Sequence, residues 1–192
     1  MERGFAEFAA AVTCGLVAMV VGAAPAWAEP LSVDAVHSSV LFRIKHLNTS
    51  YAWGRFNDIS GKLNLEGNSP VVEVQIKTDS IDTGNAKREQ HLKSPDFFNA
   101  KQFPSIAFRS TRIEKSGDGK YTVDGTLSLH GVQKPINVQL ERTGSGKNQQ
   151  GTAITGFETS FRIKRSDFGM KFLLEGLSDE VLLVVSLECA AQ

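Results

Sequence analysis

The stretch Val40-Leu-Phe-Arg-Ile-Lys-His46 carries the pattern that decides the fold. Its even positions hold valine, phenylalanine and isoleucine, whereas the odd positions 43 and 45 hold arginine and lysine. Successive side chains of a β-strand point to opposite faces, so this alternation predicts a strand with one buried face.

The same alternation returns along the chain, between turns rich in glycine, asparagine, aspartate and proline. No helical crossover of about 30 residues recurs between the segments, which disfavours a parallel sheet. The predicted strands are 38–46, 54–66, 71–78, 104–114, 120–129, 135–143, 152–165 and 179–189.

Eight antiparallel strands can form a sandwich or close into a barrel, and closure removes the exposed edges. The alternation stops over 83–99, where Asp82-Thr83 could cap a helix that ends near Leu92. We therefore expect an all-β domain with eight antiparallel strands and a short helical insert around residues 83–99.

The positions predicted to point inward are all apolar, which suits an apolar ligand better than a sugar or a nucleotide. Gly125 shares a strand face with Val123 and Leu127, and its missing side chain leaves room for a neighbour or a ligand. The aromatic residues from 97 to 108 are either core or the lining of an entrance. The candidate apolar lining is Phe42, Ile44, Phe56, Phe97, Phe98, Phe108, Val123, Gly125, Leu127 and Phe161.

Three polar residues are candidates for contacting a ligand's polar end. His46 continues the apolar face of its strand, and Arg88 and His91 lie three apart on one face of the predicted helix. The alternative for the helical pair is a solvated face. No two of the four histidines are spaced two or four residues apart, so we predict no metal site.

Composition excludes several classes of protein. The 192 residues contain 21 basic and 21 acidic side chains, which argues against a nucleic-acid binder. Two cysteines cannot form a four-thiolate metal site or a disulfide-rich scaffold. The sequence contains no His-Glu-x-x-His, phosphate-binding P-loop or Gly-x-Ser-x-Gly motif. We therefore expect that the protein is not an enzyme and has no cofactor.

The first 28 residues resemble an export signal. The segment from Phe8 to Ala28 has no charge, and Ala26-Trp27-Ala28 has the small residues that signal peptidase requires. We expect cleavage after Ala28, a single mature domain over 29–192 and a periplasmic or secreted location. An uncleaved membrane anchor is the alternative.

The last predicted strand is apolar on both faces. Alternate positions from Val181 to Leu187 form one apolar face, and Leu182 and Val184 extend the other. An outer face of this kind is usually covered, which predicts a homodimer contact.

Several separated motifs together resemble the YceI-like family, over about residues 32–189. They are Asp34-x-x-His37-Ser38-x-Val40-x-Phe42-x-Ile44-x-His46, Gly54-x-Phe56 with Gly61, Asp82-Thr83, Arg88-x-x-His91-Leu92-x-Ser94-x-Asp96-Phe97-Phe98, Phe103-Pro104-x-Ile106-x-Phe108-x-Ser110, Gly125-x-Leu127-x-Leu129-His130-Gly131-Val132-x-Lys134-Pro135 and Arg165-x-Asp167-Phe168-Gly169.

The resemblance implies a lipocalin-like antiparallel barrel in the bacterial periplasm or outside the cell. It also implies a bound polyisoprenoid or other long-chain amphiphile, frequent dimers, and no settled enzymatic activity or metal. The leading hypothesis is a lipid or isoprenoid carrier. The alternative is a stress-related scavenger of varied hydrophobic molecules such as quinones, antibiotics or fatty amides.

Overall fold

The structure, a computed structural model, describes residues 1, 30–67 and 69–191. Apart from residue 1, the predicted export signal (residues 1–28) and its cleavage point lie outside the described residues. Elsewhere the described chain forms β1 (Leu31–His46), β2 (Ser50–Phe56), β3 (Ile59–Asn64), β4 (Val71–Lys77), β5 (Ile81–Asp82), α1 (Ala86–Leu92), β6 (Ser105–Gly117), β7 (Lys120–Leu129), β8 (Val132–Lys147), β9 (Ala153–Lys164) and β10 (Leu177–Ala190), with 3₁₀ turns at Thr78–Ser80 and Arg165–Phe168.

Eight of these strands close into an antiparallel barrel, which confirms the predicted fold class. Strands β3, β4, β6, β7, β8, β9 and β10 follow one another around the wall, and β1 pairs with both β3 and β10. Val40 lies opposite Val185, and Ile44 lies opposite Val181, at the seam that closes the barrel.

The predicted strand 54–66 is divided into β2 and β3, with a break at residues 57–58. The break has a physical cause in backbone hydrogen bonds to another segment. The Asn57 amide donates to the Ser80 carbonyl at 3.1 Å, and the Lys77 amide donates to the Asp58 carbonyl at 3.0 Å. Before the break, β2 pairs with the second half of β1, and β5 pairs with β2.

Helix α1 lies inside the predicted insert, but its cap differs from the prediction. The Asn85 side chain, not Asp82 or Thr83, accepts the Arg88 amide at 3.0 Å. The Thr83 amide instead donates to the Glu89 carboxylate at 2.8 Å, so Thr83 belongs to the turn before the helix. Within the described part of the chain, no helix is long and apolar enough to cross a bilayer.

The two ends of the barrel differ in packing. The end that holds the start of β1 is filled by large side chains and is called the closed end. Its residues Leu63, Tyr121, Phe157 and Cys189 are at most 2% exposed. The other end, where β1 finishes at His46 and β10 begins at Leu177, is called the open end. Helix α1 and residues 169–177, called the mouth loop, lie at this end.

Cys189 should be chemically inert in the folded protein. Burial, together with the negative charge of Glu188, raises the pKa of its thiol to about 12, and the residue is fully buried. Alkylation requires the thiolate and access to it. At pH 8 we expect iodoacetamide to leave the Cys189 peptide unlabelled in buffer and to label it fully in urea, as measured by mass spectrometry. Rapid labelling of the native protein would contradict this burial.

Candidate functional site

The barrel encloses a cavity of about 530 Å³, within the range of small-molecule sites. Inward side chains of the barrel strands form its wall, and residues of β2, α1 and the turns after α1 complete it. Its length is set by β10, where lining residues recur from Leu177 at the open end to Leu187 near the closed end. The cavity is therefore a deep pocket that is sealed by core packing at one end.

Nine of the ten predicted apolar residues lie on this lining: Phe42, Ile44, Phe56, Phe97, Phe98, Phe108, Val123, Leu127 and Phe161. Three of them form a connected aromatic side wall. The Phe42 and Phe56 ring centroids are 5.7 Å apart, and Phe98 meets Phe56 edge-on at 5.6 Å. This wall joins β1 to the insert along one side of the cavity.

Gly125, the tenth predicted residue, is not among the cavity-lining residues. An added Cβ would contact the Phe108 ring and would lie 2.6 Å from the Arg109 carbonyl oxygen. The space that the sequence predicts above Gly125 is therefore occupied by a neighbouring aromatic ring and is not open to a ligand.

The polar groups of the lining gather mainly at the open end. His46 lies opposite Leu177, whose carbonyl accepts the Arg165 guanidinium at 3.0 Å. Arg88 reaches over from α1 and donates to the Thr83 hydroxyl at 2.9 Å and to the Thr83 carbonyl at 2.6 Å. Two of the three predicted polar residues, His46 and Arg88, thus lie on the lining of the open end.

His91, the third predicted polar residue, is placed elsewhere. Its Nε2 lies 2.8 Å from a carboxylate oxygen of Asp96. Its ring packs edge-on against Phe97 at 5.0 Å and Phe172 at 5.4 Å. His91 is exposed and packs on Phe97 and Phe172 outside the cavity, so the structure does not bring it to the cavity lining.

Arg165 is a site residue that sequence reasoning missed. It is 3% exposed, and its guanidinium donates to the carbonyls of Met170, Phe172, Leu177 and Ser178 at 2.7 to 3.0 Å. Burial lowers the pKa of Arg165, although a guanidinium stays charged in proteins. This one side chain holds both ends of the mouth loop against the barrel.

The structure also adds lining residues from a segment without a predicted strand. Residues 50–53 belong to β2, and Ala52 lies opposite Ile44 on the inward face. Thr159 contributes a hydroxyl group to an otherwise apolar stretch of β9, and its oxygen lacks a hydrogen-bond partner among the described residues. The register of β2 against β1 would have identified Ala52, but that register is not readable from spacing alone.

Among the described residues, one cluster has side chains suited to a divalent cation. Candidate ligand atoms of Asp34, His37 and Glu188 lie within 4.8 Å of one another, away from the open end. The hydrogen bond between His37 and Asp34, 2.9 Å long, lowers the pKa of Asp34 and raises the pKa of His37. The two side chains thus form a partly exposed ion pair when His37 is protonated, and the expected absence of a metal stays a prediction.

Comparison with known proteins identifies relatives of this chain in sequence and in structure. The YceI-like domain matches residues 31–189. A UPF0312 protein of Yersinia enterocolitica is 38% identical over 180 residues, which cover 92% of this chain and 93% of that protein. The Campylobacter jejuni YCEI crystal structure shares 34% identity and a TM-score of 0.69, covering 78% of this chain and 90% of that one.

A polyisoprenoid binding domain from Saccharophagus degradans, implicated in plant cell wall breakdown, shares the fold with a TM-score of 0.68. The two chains are 19% identical, and the match covers 84% of this chain and 98% of that one. With the matched domain and the close relatives in agreement, this chain belongs to the YceI-like family.

Proposed function

We propose that this protein binds a polyisoprenoid or a similar long-chain amphiphile in its barrel and transports or stores it. The observation that carries the proposal is a deep cavity with an apolar wall, a packed closed end and polar groups at the open end. Removing an apolar tail from water stabilises the complex by about 25 cal/mol for each Å² buried. The tail would extend toward the closed end, with the head beside His46 and Arg88.

Further support comes from the polyisoprenoid ligand class of the Saccharophagus neighbour. Among the described residues, the cavity lining contains no carboxylate that could pair with His46 in general acid–base catalysis. This favours binding over catalysis. A periplasmic or secreted location belongs to the same proposal and rests on the export signal predicted for residues 1–28.

A scavenger of varied hydrophobic molecules is the second candidate. One observation favours it: most of the wall offers only alkyl and aromatic surface, which accepts many apolar tails equally well. Met170, a buried lining residue, adds a flexible side chain that adapts to differently shaped ligands.

Lipid extraction and native mass spectrometry of the protein purified from its own host distinguish these candidates. A carrier should retain one lipid class, a scavenger a mixture, and an enzyme should turn the lipid over. The variant Ala52→Trp places an indole on the inward face near the open end and should reduce retained lipid several-fold. Arg55→Trp adds the same group at an exposed position of β2 and should retain lipid like wild type. If wild type and both variants all lack a bound amphiphile, the carrier and the scavenger are both refuted.

The outer face of the seam supports the proposed homodimer. Val184 lies opposite Leu41, Leu182 lies opposite Arg43, and Arg43 lies opposite the half-exposed Trp53. Leu182→Lys with Val184→Lys should convert dimer to monomer in sedimentation experiments, because two charges would be buried without partners.

The matched control is Gln133→Lys with Gln139→Lys, which adds the same charge at exposed positions of β8. This control should sediment like wild type. A wild-type protein that is already monomeric at high concentration would contradict the dimer.

A further inference from the structure

Exposed apolar side chains gather around the open end of the barrel. The described residues there include Leu47, Phe172, Leu173 and Leu174, all 39 to 59% exposed, and we call these four the leucine patch. A backbone hydrogen bond from the Leu47 amide to the Gly176 carbonyl, 2.7 Å long, ties its two segments together. Within the second segment, the Leu177 amide donates to the Leu173 carbonyl at 2.9 Å.

Two of these leucines occupy a backbone conformation that disfavours them. Leu47 has φ of 46° and Leu173 has φ of 51°, in the left-handed region where a Cβ collides with the backbone. Both side chains are more than half exposed, so burial within the chain does not offset this strain. Strained residues of this kind persist where the surrounding structure holds them, and they cluster at ligand-binding sites and switch regions.

The leucine patch borders the opening of the cavity. Met170 and Leu177, which lie at the two ends of the mouth loop, both line the cavity. Phe172 packs against Phe97, another lining residue, with ring centroids 5.2 Å apart. A surface that covers the leucine patch would therefore face the entrance through which a ligand reaches the barrel.

Lysines border both segments of the patch. Lys171 precedes Phe172, and Lys45 lies near the end of β1, two residues before Leu47. Two acidic residues are also close: Glu175 in the same loop, and Asp96, which pairs with the His91 that packs on Phe172. Leucine and phenylalanine flanked by lysine are the side chains that insert between lipid headgroups and attract anionic phosphates.

We propose that the leucine patch docks on the surface of a lipid bilayer, where the cavity exchanges its ligand. A folded protein seated on the patch would cover the opening, whereas a bilayer covers the same side chains and supplies amphiphiles to the cavity. The purpose of docking rests on the proposed function. The docking itself does not depend on a bound ligand, so the two can fail separately.

The test is flotation with vesicles of equimolar phosphatidylcholine and phosphatidylglycerol, and with vesicles of phosphatidylcholine alone. The protein is used as its host processes it, and every variant carries the same N-terminus, so residues 1–28 contribute equally to all. Leu47→Gly with Leu173→Gly removes two apolar side chains and relieves both strained positions. We expect vesicle affinity to fall by at least about tenfold while the unfolding temperature stays equal or rises.

Val36→Gly is the matched control, because Val36 is 85% exposed and lies on the half of β1 nearer the closed end. This variant should bind vesicles like wild type, and Lys171→Glu should weaken binding only to the anionic vesicles. Equal flotation of the double glycine variant and wild type would overturn the proposal. Failure of wild type to bind either vesicle would also overturn it, as would self-association without vesicles that the double variant abolishes. Retained lipid in the cavity of a protein that does not float would leave the proposed function standing.

Discussion

Replacing Arg165 by methionine should lower the free energy of unfolding by about 3 to 5 kcal/mol, because four carbonyl groups lose hydrogen bonds to a buried charged group. Methionine has a similar length but no donors, so the carbonyls of Met170, Phe172, Leu177 and Ser178 would lose a hydrogen-bond partner. Total stabilities are about 5 to 15 kcal/mol, so this single change removes a large fraction.

Lysine should restore little of this loss. Its ammonium is a compact group with three donors, whereas the four bonds of Arg165 leave a planar fork in different directions. The control is Arg162→Met, three positions earlier and near the end of β9, where an exposed pair with Glu180 should contribute less than about 1 kcal/mol.

Urea denaturation measures these differences, and hydrogen exchange locates them. Amides of the mouth loop should exchange faster in Arg165→Met than in wild type, because the loop opens without global unfolding. Equal urea midpoints for Arg165→Met and Arg162→Met would show that the carbonyl contacts of Arg165 contribute little.

A second interaction makes the same region sensitive to acid. Burial opposes ionisation of Asp179, but bonds from the Ser166 amide at 2.8 Å and hydroxyl at 2.7 Å outweigh it, and the pKa of Asp179 is lowered. A carboxyl group with a lowered folded pKa contributes stability above its unfolded value, near 3.9, and loses it as pH falls through the folded pKa. The free energy of unfolding of wild type should therefore exceed that of Asp179→Asn at neutral pH, and this difference should shrink below about pH 4.

The barrel wall could be predicted because strand alternation records burial directly. Val40, Phe42 and Ile44 face inward for the same reason that they recur at every second position. Residues 50–53 escaped prediction, since their place on the wall depends on pairing with β1 and not on their own pattern.

Arg165 and His91 show a different limit of sequence reasoning. The partners of Arg165 are backbone carbonyl oxygens, which every residue carries. No particular residue type in the sequence therefore indicates the contact. The spacing of Arg88 and His91 places both on one helix face, but only Arg88 reaches the cavity lining. His91 turns instead to Asp96, a partner in the turn that follows the helix.

Gly125 shows that a missing side chain in the sequence does not by itself identify what fills the space it leaves. The sequence indicates that a side chain is missing there, but only the structure shows that the Phe108 ring occupies the space. Gly54 has the same arrangement, because a Cβ there would contact the Phe42 ring. An aromatic ring packed over a glycine of the neighbouring strand is a known way to stabilise sheets. Both rings also line the cavity, so these glycines shape the binding site indirectly.

Gly125→Ala should therefore destabilise the barrel by about 1 to 3 kcal/mol, and Gly125→Trp should prevent folding. The Arg109 carbonyl lies only 2.6 Å from the new Cβ and belongs to a paired strand, so it cannot move away as a flexible side chain could. The Phe108 ring would be displaced toward the cavity, so the alanine variant should also retain less lipid than wild type.

Gly144→Ala is the matched control, since this glycine lies in β8 with no atom within 4 Å of the added Cβ. Its urea midpoint should equal or slightly exceed that of wild type, because alanine restricts the unfolded chain more than glycine does. Combining Gly125→Ala with Phe108→Leu separates the two obstacles. If the ring is the main obstacle, the double variant should be more stable than the sum of the single changes predicts, whereas additive losses would assign the cost to the Arg109 carbonyl. Equal urea midpoints for Gly125→Ala and Gly144→Ala would show that the barrel wall accommodates the added Cβ of residue 125 at little cost in stability.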